Sequence, residues 1–77
     1  MKLELPRELG CYHFINDKCT IIIKYENKYT GYHVCVEEKV NWTTKEYQTY
    51  TTTPSALKAL QARIEKYLEK NNIPNDF

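Results

Sequence analysis

The apolar positions of this chain repeat with two different periods, and the change falls at the threonines around residue 53. Before that point the period is two, the mark of a strand, and after it apolar residues return every three or four positions, the mark of a helix. Gly10 to Ile15 predicts a first strand, with Tyr12 and Phe14 on one side and Cys11, His13 and Ile15 on the other. Asn16-Asp17-Lys18 supplies turn chemistry. Cys19 to Tyr25 is the most hydrophobic run, and its three consecutive isoleucines predict a central strand, buried on one face and at least half covered on the other. Loop residues Asn27 and Gly31 follow, and Tyr32 to Glu38 predicts a third strand in which Tyr32, Val34 and Val36 alternate with His33, Cys35 and Glu37. Lys39 to Lys45 interleaves Val40 and Trp42 with polar residues, which fits either a continuation of the third strand or a hairpin loop with an aromatic anchor. Tyr47 to Thr52, dense in tyrosine and threonine, predicts a fourth strand.

Beyond Thr53 the stripe Leu57, Leu60, Ile64, Tyr67 and Leu68 falls on one side of a helix, and Lys58, Arg63, Glu65, Lys66, Glu69 and Lys70 take the other. Thr53 suits the N-cap and Pro54 the first helical position, because the hydroxyl accepts from an otherwise unpaired amide and proline has no amide to satisfy. At the far end Asn72 suits the left-handed closing position, Ile73 would reach back to Leu68, and Pro74 forbids continuation. The two ends of the chain are less regular. Leu3 and Leu5 before Pro6 predict a short edge strand within Met1–Leu9, and Pro74–Phe77 reads as a loose tail. Together these elements predict one domain over residues 1–77 of the α+β class: an antiparallel three- to four-stranded meander with one C-terminal amphipathic helix packed on one face.

One helix covers one side of such a sheet, so the other side meets water, a partner, or a loop folded back over it. With Tyr12, Phe14, Ile21, Ile23, Tyr25, Val34 and Val36 toward the helix, the outer side carries Cys11, His13, Ile15, Ile22, Lys24, His33, Cys35 and Glu37. That set is low in charge. Ile15, Ile22, Lys24, His33, Cys35 and Glu37 are the candidate partner-binding residues, because a contiguous apolar patch is uncommon on an inert monomer. A larger protein target or a second copy in a homodimer would fit it. The competing expectation is that a loop, the amino terminus or the Trp42 segment completes the core there.

Composition narrows the function classes. Eleven basic residues against ten acidic give a net charge of +1, without the positive excess usual in proteins that grip phosphate backbones. No apolar run is long enough to span a bilayer, and the first twenty residues hold charges and a proline where a signal peptide has its apolar core. The expectation is therefore a cytosolic, non-membrane protein. Cys11, Cys19 and Cys35 are an odd number of cysteines, consistent with free thiols in a reducing compartment. Abundant Lys, Asn, Ile and Tyr with little Arg, Gly and Ala is the usage that AT-rich codons favour, as in low-GC bacteria and their phages.

Cys11-x-His13 and His33-x-Cys35 each place a thiol and an imidazole on one strand face, the donor set zinc prefers. In a meander, however, the first and third strands stand roughly 9–10 Å apart, twice the ~4.8 Å strand spacing. Only direct neighbouring of those strands, or contact across a dimer, would unite the four, so neither metal nor cofactor is expected. There is no phosphate loop or dinucleotide fingerprint, and Glu37-Glu38 point to opposite faces, so catalysis is not expected. Tyr29, Tyr47, Tyr50 and Trp42 fit core packing, an interface anchor or base stacking.

The segment Tyr50-x-Thr52-x-x-x-Ala56-x-x-Ala59 resembles the strand-to-helix join of the arm-type DNA-binding domains of phage and transposon integrases, and the corresponding join of the HicB-like antitoxin fold. The integrase-like resemblance implies a sheet whose uncovered face enters the major groove, offering Lys24 and His33, with Lys28, Lys39 and Lys45 near phosphates. Glu26, Glu37, Glu38 and Glu46 accompany them. The preferred expectation is a non-catalytic protein-binding module, a phage or mobile-element inhibitor that masks a surface on a bacterial defence or nucleic-acid enzyme. The alternative is DNA binding by the same face.

Overall fold

Four antiparallel strands lie side by side in chain order, and one helix crosses a single face of the sheet they form. In the computed structural model residues 2–39, 41–50 and 53–77 are described. The elements are β1 (Gly10–Ile15), β2 (Cys19–Asn27), β3 (Gly31–Glu38), β4 (Thr43–Thr49) and α1 (Pro54–Lys70). This is the α+β meander with a C-terminal helix that the two periods predict.

Local chemistry accounts for each reversal. Asn16 Oδ1 accepts from the amides of Lys18 (2.8 Å) and Cys19 (2.9 Å), while Asn16 N donates to the Cys19 carbonyl at 3.0 Å, closing the β1–β2 turn. Asn27 does the same between β2 and β3, accepting from Tyr29 N and Thr30 N. Gly31 then enters β3 at φ +68, and a Cβ there would meet the Thr49 carbonyl oxygen at 1.9 Å, so only glycine lets the start of β3 lie against the end of β4.

The helix begins and ends as its sequence predicts. Thr53 Oγ1 accepts from Ala56 N at 3.3 Å and Pro54 takes the first turn. Asn72 adopts φ 55, Ile73 N donates to the Leu68 carbonyl at 2.8 Å, and Asn72 N donates to that of Glu69. This is a complete Schellman closure. Leu60, Ile64 and Leu68 are buried, with Leu57 and Tyr67 half-buried beside them. Each of the three buried side chains contributes roughly 1.5–3 kcal/mol.

Four expectations need correction. The fourth strand is Thr43–Thr49 rather than 47–52, and Thr51 and Thr52 lie outside the described residues. Of the two readings of Lys39–Lys45, the hairpin holds: the chain turns through Asn41 and Trp42 and is already in β4 at Thr43. Val40 is outside the described residues. Trp42, at φ 53 and 74 % exposed, anchors nothing in the core.

Leu3 and Leu5 do not belong to an edge strand; the amino-terminal segment lies on the helix side, where Leu3 is fully buried. Gln61 Nε2 donates to the Leu3 carbonyl at 2.9 Å, and Leu3 N donates to Asn75 Oδ1 at 2.8 Å. The tail is tied down too: Ile73 is buried, Asn16 Nδ2 donates to the Pro74 carbonyl, and Phe77 packs edge-on to Phe14 with centroids 6.4 Å apart. The second layer is thus a helix flanked by both chain ends. Beneath it Cys19, Ile21, Ile23, Val34 and Val36 are fully buried, and Tyr25 stacks on its cross-strand partner Tyr32 at 4.5 Å.

Candidate protein-binding face

Antiparallel pairing sets the composition of the side of the sheet opposite the helix. Because alternate residues of each strand share a face, the register builds three cross-strand rows there. One runs Ile15, Thr20, Glu37, Thr44; the next His13, Ile22, Cys35, Glu46; the third Cys11, Lys24, His33, Gln48. None of these residues is buried. Leu3 and Leu5 near the amino terminus and Ile73 and Phe77 of the tail pack on the helix side, and Trp42 is exposed, so none of these covers this face.

The six residues selected from sequence, Ile15, Ile22, Lys24, His33, Cys35 and Glu37, stand in these rows on three adjacent strands. Ile22 is central, with His13 on one side and Cys35 on the other. Ile15 sits at a corner and is 58 % exposed. Lys24 faces His33 across the β2–β3 pair, and both line a recess of about 310 Å³ with Glu26, Thr30, Gly31 and Gln48. Thr20, Thr44, Glu46 and Gln48 complete the rows and were absent from the sequence-derived set. A period-two reading that started at Thr43 would have found the last three.

Electrostatics decide what such a face can do. It carries Lys24 against Glu37 and Glu46, one negative charge in excess. Burial pushes the Cys35 thiol above its ordinary value, and the carboxylates of Glu46 and then Glu37 push it the same way. At neutral pH Cys35 is therefore a protonated, weakly polar group, poorly suited to act as nucleophile or metal ligand. His33 and Cys35 are separated from Cys11 and His13 by β2. Among the described residues no three or more His, Cys, Asp or Glu side chains group to hold a metal ion.

Of the lysines that a DNA-binding reading places near phosphates, one lies on the other side of the sheet and two hold contacts within the chain. Lys45 pairs with buried Val36 and so belongs to the helix side. Lys39 Nζ donates to the Asn16 carbonyl at 2.8 Å, and Lys28 Nζ lies 5.2 Å above the Tyr29 ring. The exposed aromatics are Tyr29, Trp42 and Tyr50, at the ends of the sheet. Tyr47 faces the helix and is half-buried. No helix among the described residues is long and apolar enough to cross a membrane.

No protein-family model matches the chain, and no curated protein or solved structure matches it significantly. The functional reading therefore rests on the residues themselves.

Proposed function

We propose that this protein is a non-catalytic binding module that docks a larger protein target through the helix-free face of its sheet. The observation that carries this reading is the central row, His13, Ile22, Cys35 and Glu46, in which a half-buried isoleucine and a protonated thiol lie side by side, on the side of the sheet away from the helix. Apolar and weakly polar groups at the middle of a patch, with Lys24, Glu37, Thr44 and Gln48 around them, reproduce the dry centre and polar rim of a protein interface. The recess beside Lys24 and His33 offers a pocket for one partner side chain. A module of this size acts most simply by occlusion, covering a working surface of its target, as an inhibitor of a bacterial defence or nucleic-acid enzyme does.

Duplex DNA is the other class of partner that a bare sheet can take. The single lysine of this face and its negative excess argue for protein instead, since phosphate binding needs neutralising cations. Affinity capture from bacterial lysate with the parent chain, Ile22→Glu and the helix-side control Lys58→Glu tests the reading. The expected result is a partner retained by parent and control and lost with Ile22→Glu, at a cost above about 2 kcal/mol, roughly thirtyfold in Kd. A partner held equally by all three folded proteins would refute docking through this face. A gel shift with duplex DNA whose affinity collapses between 50 and 200 mM salt would transfer the face to nucleic acid.

A further inference from the structure

The two edges of the sheet are defended differently. Exposed edge strands are templates for pairing with another chain, and natural sheets blunt them with charge, proline or bulges. β4 carries Lys45 and Glu46, whereas β1, from Gly10 to Ile15, carries no lysine, arginine, aspartate, glutamate or proline. No strand lies outside β1 among the described residues.

The phase of the β1–β2 ladder fixes which groups that edge presents. Asn16 N bonds to the Cys19 carbonyl, so in the same register Phe14 and Tyr12 turn their amides and carbonyls toward β2, and Cys11, His13 and Ile15 turn theirs outward. Cys11 and His13 also share the helix-free face, where both are exposed and Cys11 Sγ lies 3.5 Å from His13 Nε2. The residues whose backbone is free to pair thus also carry two side chains already converging.

We propose that two copies of this chain pair antiparallel along β1, about a two-fold axis through Tyr12, and that Cys11 and His13 of both copies together bind one zinc ion. In this register Cys11 stands opposite His13 of the second copy, and each pair exchanges two outward backbone hydrogen bonds. Facing Cα atoms are about 5.5 Å apart, and Cys11 and His13 of one strand are roughly 6.8 Å apart, two residues at ~3.4 Å. The centre of that quadrilateral is about 4.4 Å in projection from each Cα. Zn–S bonds of ~2.3 Å and Zn–N bonds of ~2.0–2.1 Å close the distance, giving the two-thiolate, two-imidazole set of structural zinc.

Binding displaces two thiol protons to solvent, and two thiolates with neutral imidazoles cancel the charge of the ion. Lys24, which faces Cys11 on β2, therefore meets no net cation. One copy supplies only half the ligands, so the site exists only in the pair. It shares His13 with the central row of the docking face and leaves Ile22 and Cys35 outside the ligand set.

Titration of the purified chain with zinc, followed by light scattering and elemental analysis, tests the proposal. The expected result is a doubling of mass that saturates at one zinc per two chains. Cys11→Ser and His13→Gln should remain monomeric and lose more than the roughly 10–100-fold affinity that outer-shell changes cost at metal sites, and the exposed helix-side variant Lys58→Glu should behave as the parent. Cobalt in place of zinc should show a thiolate charge-transfer band that Cys11→Ser abolishes. A mass unchanged by zinc, one ion per chain, or dimerisation insensitive to Cys11→Ser would each overturn it.

Discussion

Ile22 and Ile23 are adjacent in β2 and chemically identical, yet they occupy different environments. Ile23 is fully buried beneath the helix layer, and Ile22 is half-buried in the open rows on the other side. The isoleucine run itself shows no alternation, and the polar Thr20 and Lys24 on either side of it mark the face of Ile22 as the outer one. What separates their burial is supply: among the described residues one layer of apolar groups covers the sheet, on the side of Ile21, Ile23, Val34 and Val36. The lesson is that a small sheet with one available cover has one packed face and one open face.

The sharpest way to break this comparison is to truncate both neighbours. Ile23→Ala should cost about 2–5 kcal/mol of unfolding free energy, the range for deleting a buried isoleucine side chain, against less than about 1 kcal/mol for Ile22→Ala. Urea unfolding of the two variants decides it, and equal losses would show that both faces are covered. Leu3→Ala sharpens the account of the cover itself. If residues 3–7 are as much a part of the second layer as α1, this change should cost about 2–4 kcal/mol; a value near zero would return the covering role to the helix alone.

The smallest effect is alkaline. Burial first of all pushes the phenols of Tyr32, Tyr47 and Tyr67 and the thiols of Cys19 and Cys35 above their ordinary values of 10.0 and 9.0. The Glu38 carboxylate, accepting from Tyr67 Oη at 3.2 Å, adds to the shift at Tyr67. With folded values raised, the unfolded chain releases these protons first. Their contribution is complete below about pH 9 and is lost as pH climbs past the unfolded values toward the folded ones. Four of the five groups belong to the covered side. Tyr67→Phe should cost about 1 kcal/mol at neutral pH and flatten the decline in melting temperature between pH 9 and 11; an identical slope in parent and variant would remove Tyr67 from it.

Much of this was readable from residues. Thr53, Pro54, Asn72 and Ile73 announce both ends of α1 because capping is local chemistry, complete within four or five residues. β1 to β3 are equally plain, since strong alternation is punctuated by Asn16 and Asn27. β4 was misplaced for a physical reason: in Thr43–Thr49 only Tyr47 is a large apolar residue, so an exposed edge strand shows no contrast between its faces. Thr44, Glu46 and Gln48 were missed with it. Leu3 and Leu5 have strand spacing, but a strand needs backbone partners. Leu3 instead meets the side chains of Gln61 and Asn75, contacts that span most of the chain and leave no trace in local pattern.

The bond between Leu3 N and Asn75 Oδ1 has a practical corollary. Residues near both extremities sit next to each other on the helix side, so a biotin, dye or fused domain attached at either terminus would leave from there. Immobilised by such a handle, the molecule would turn its uncovered rows toward the solution.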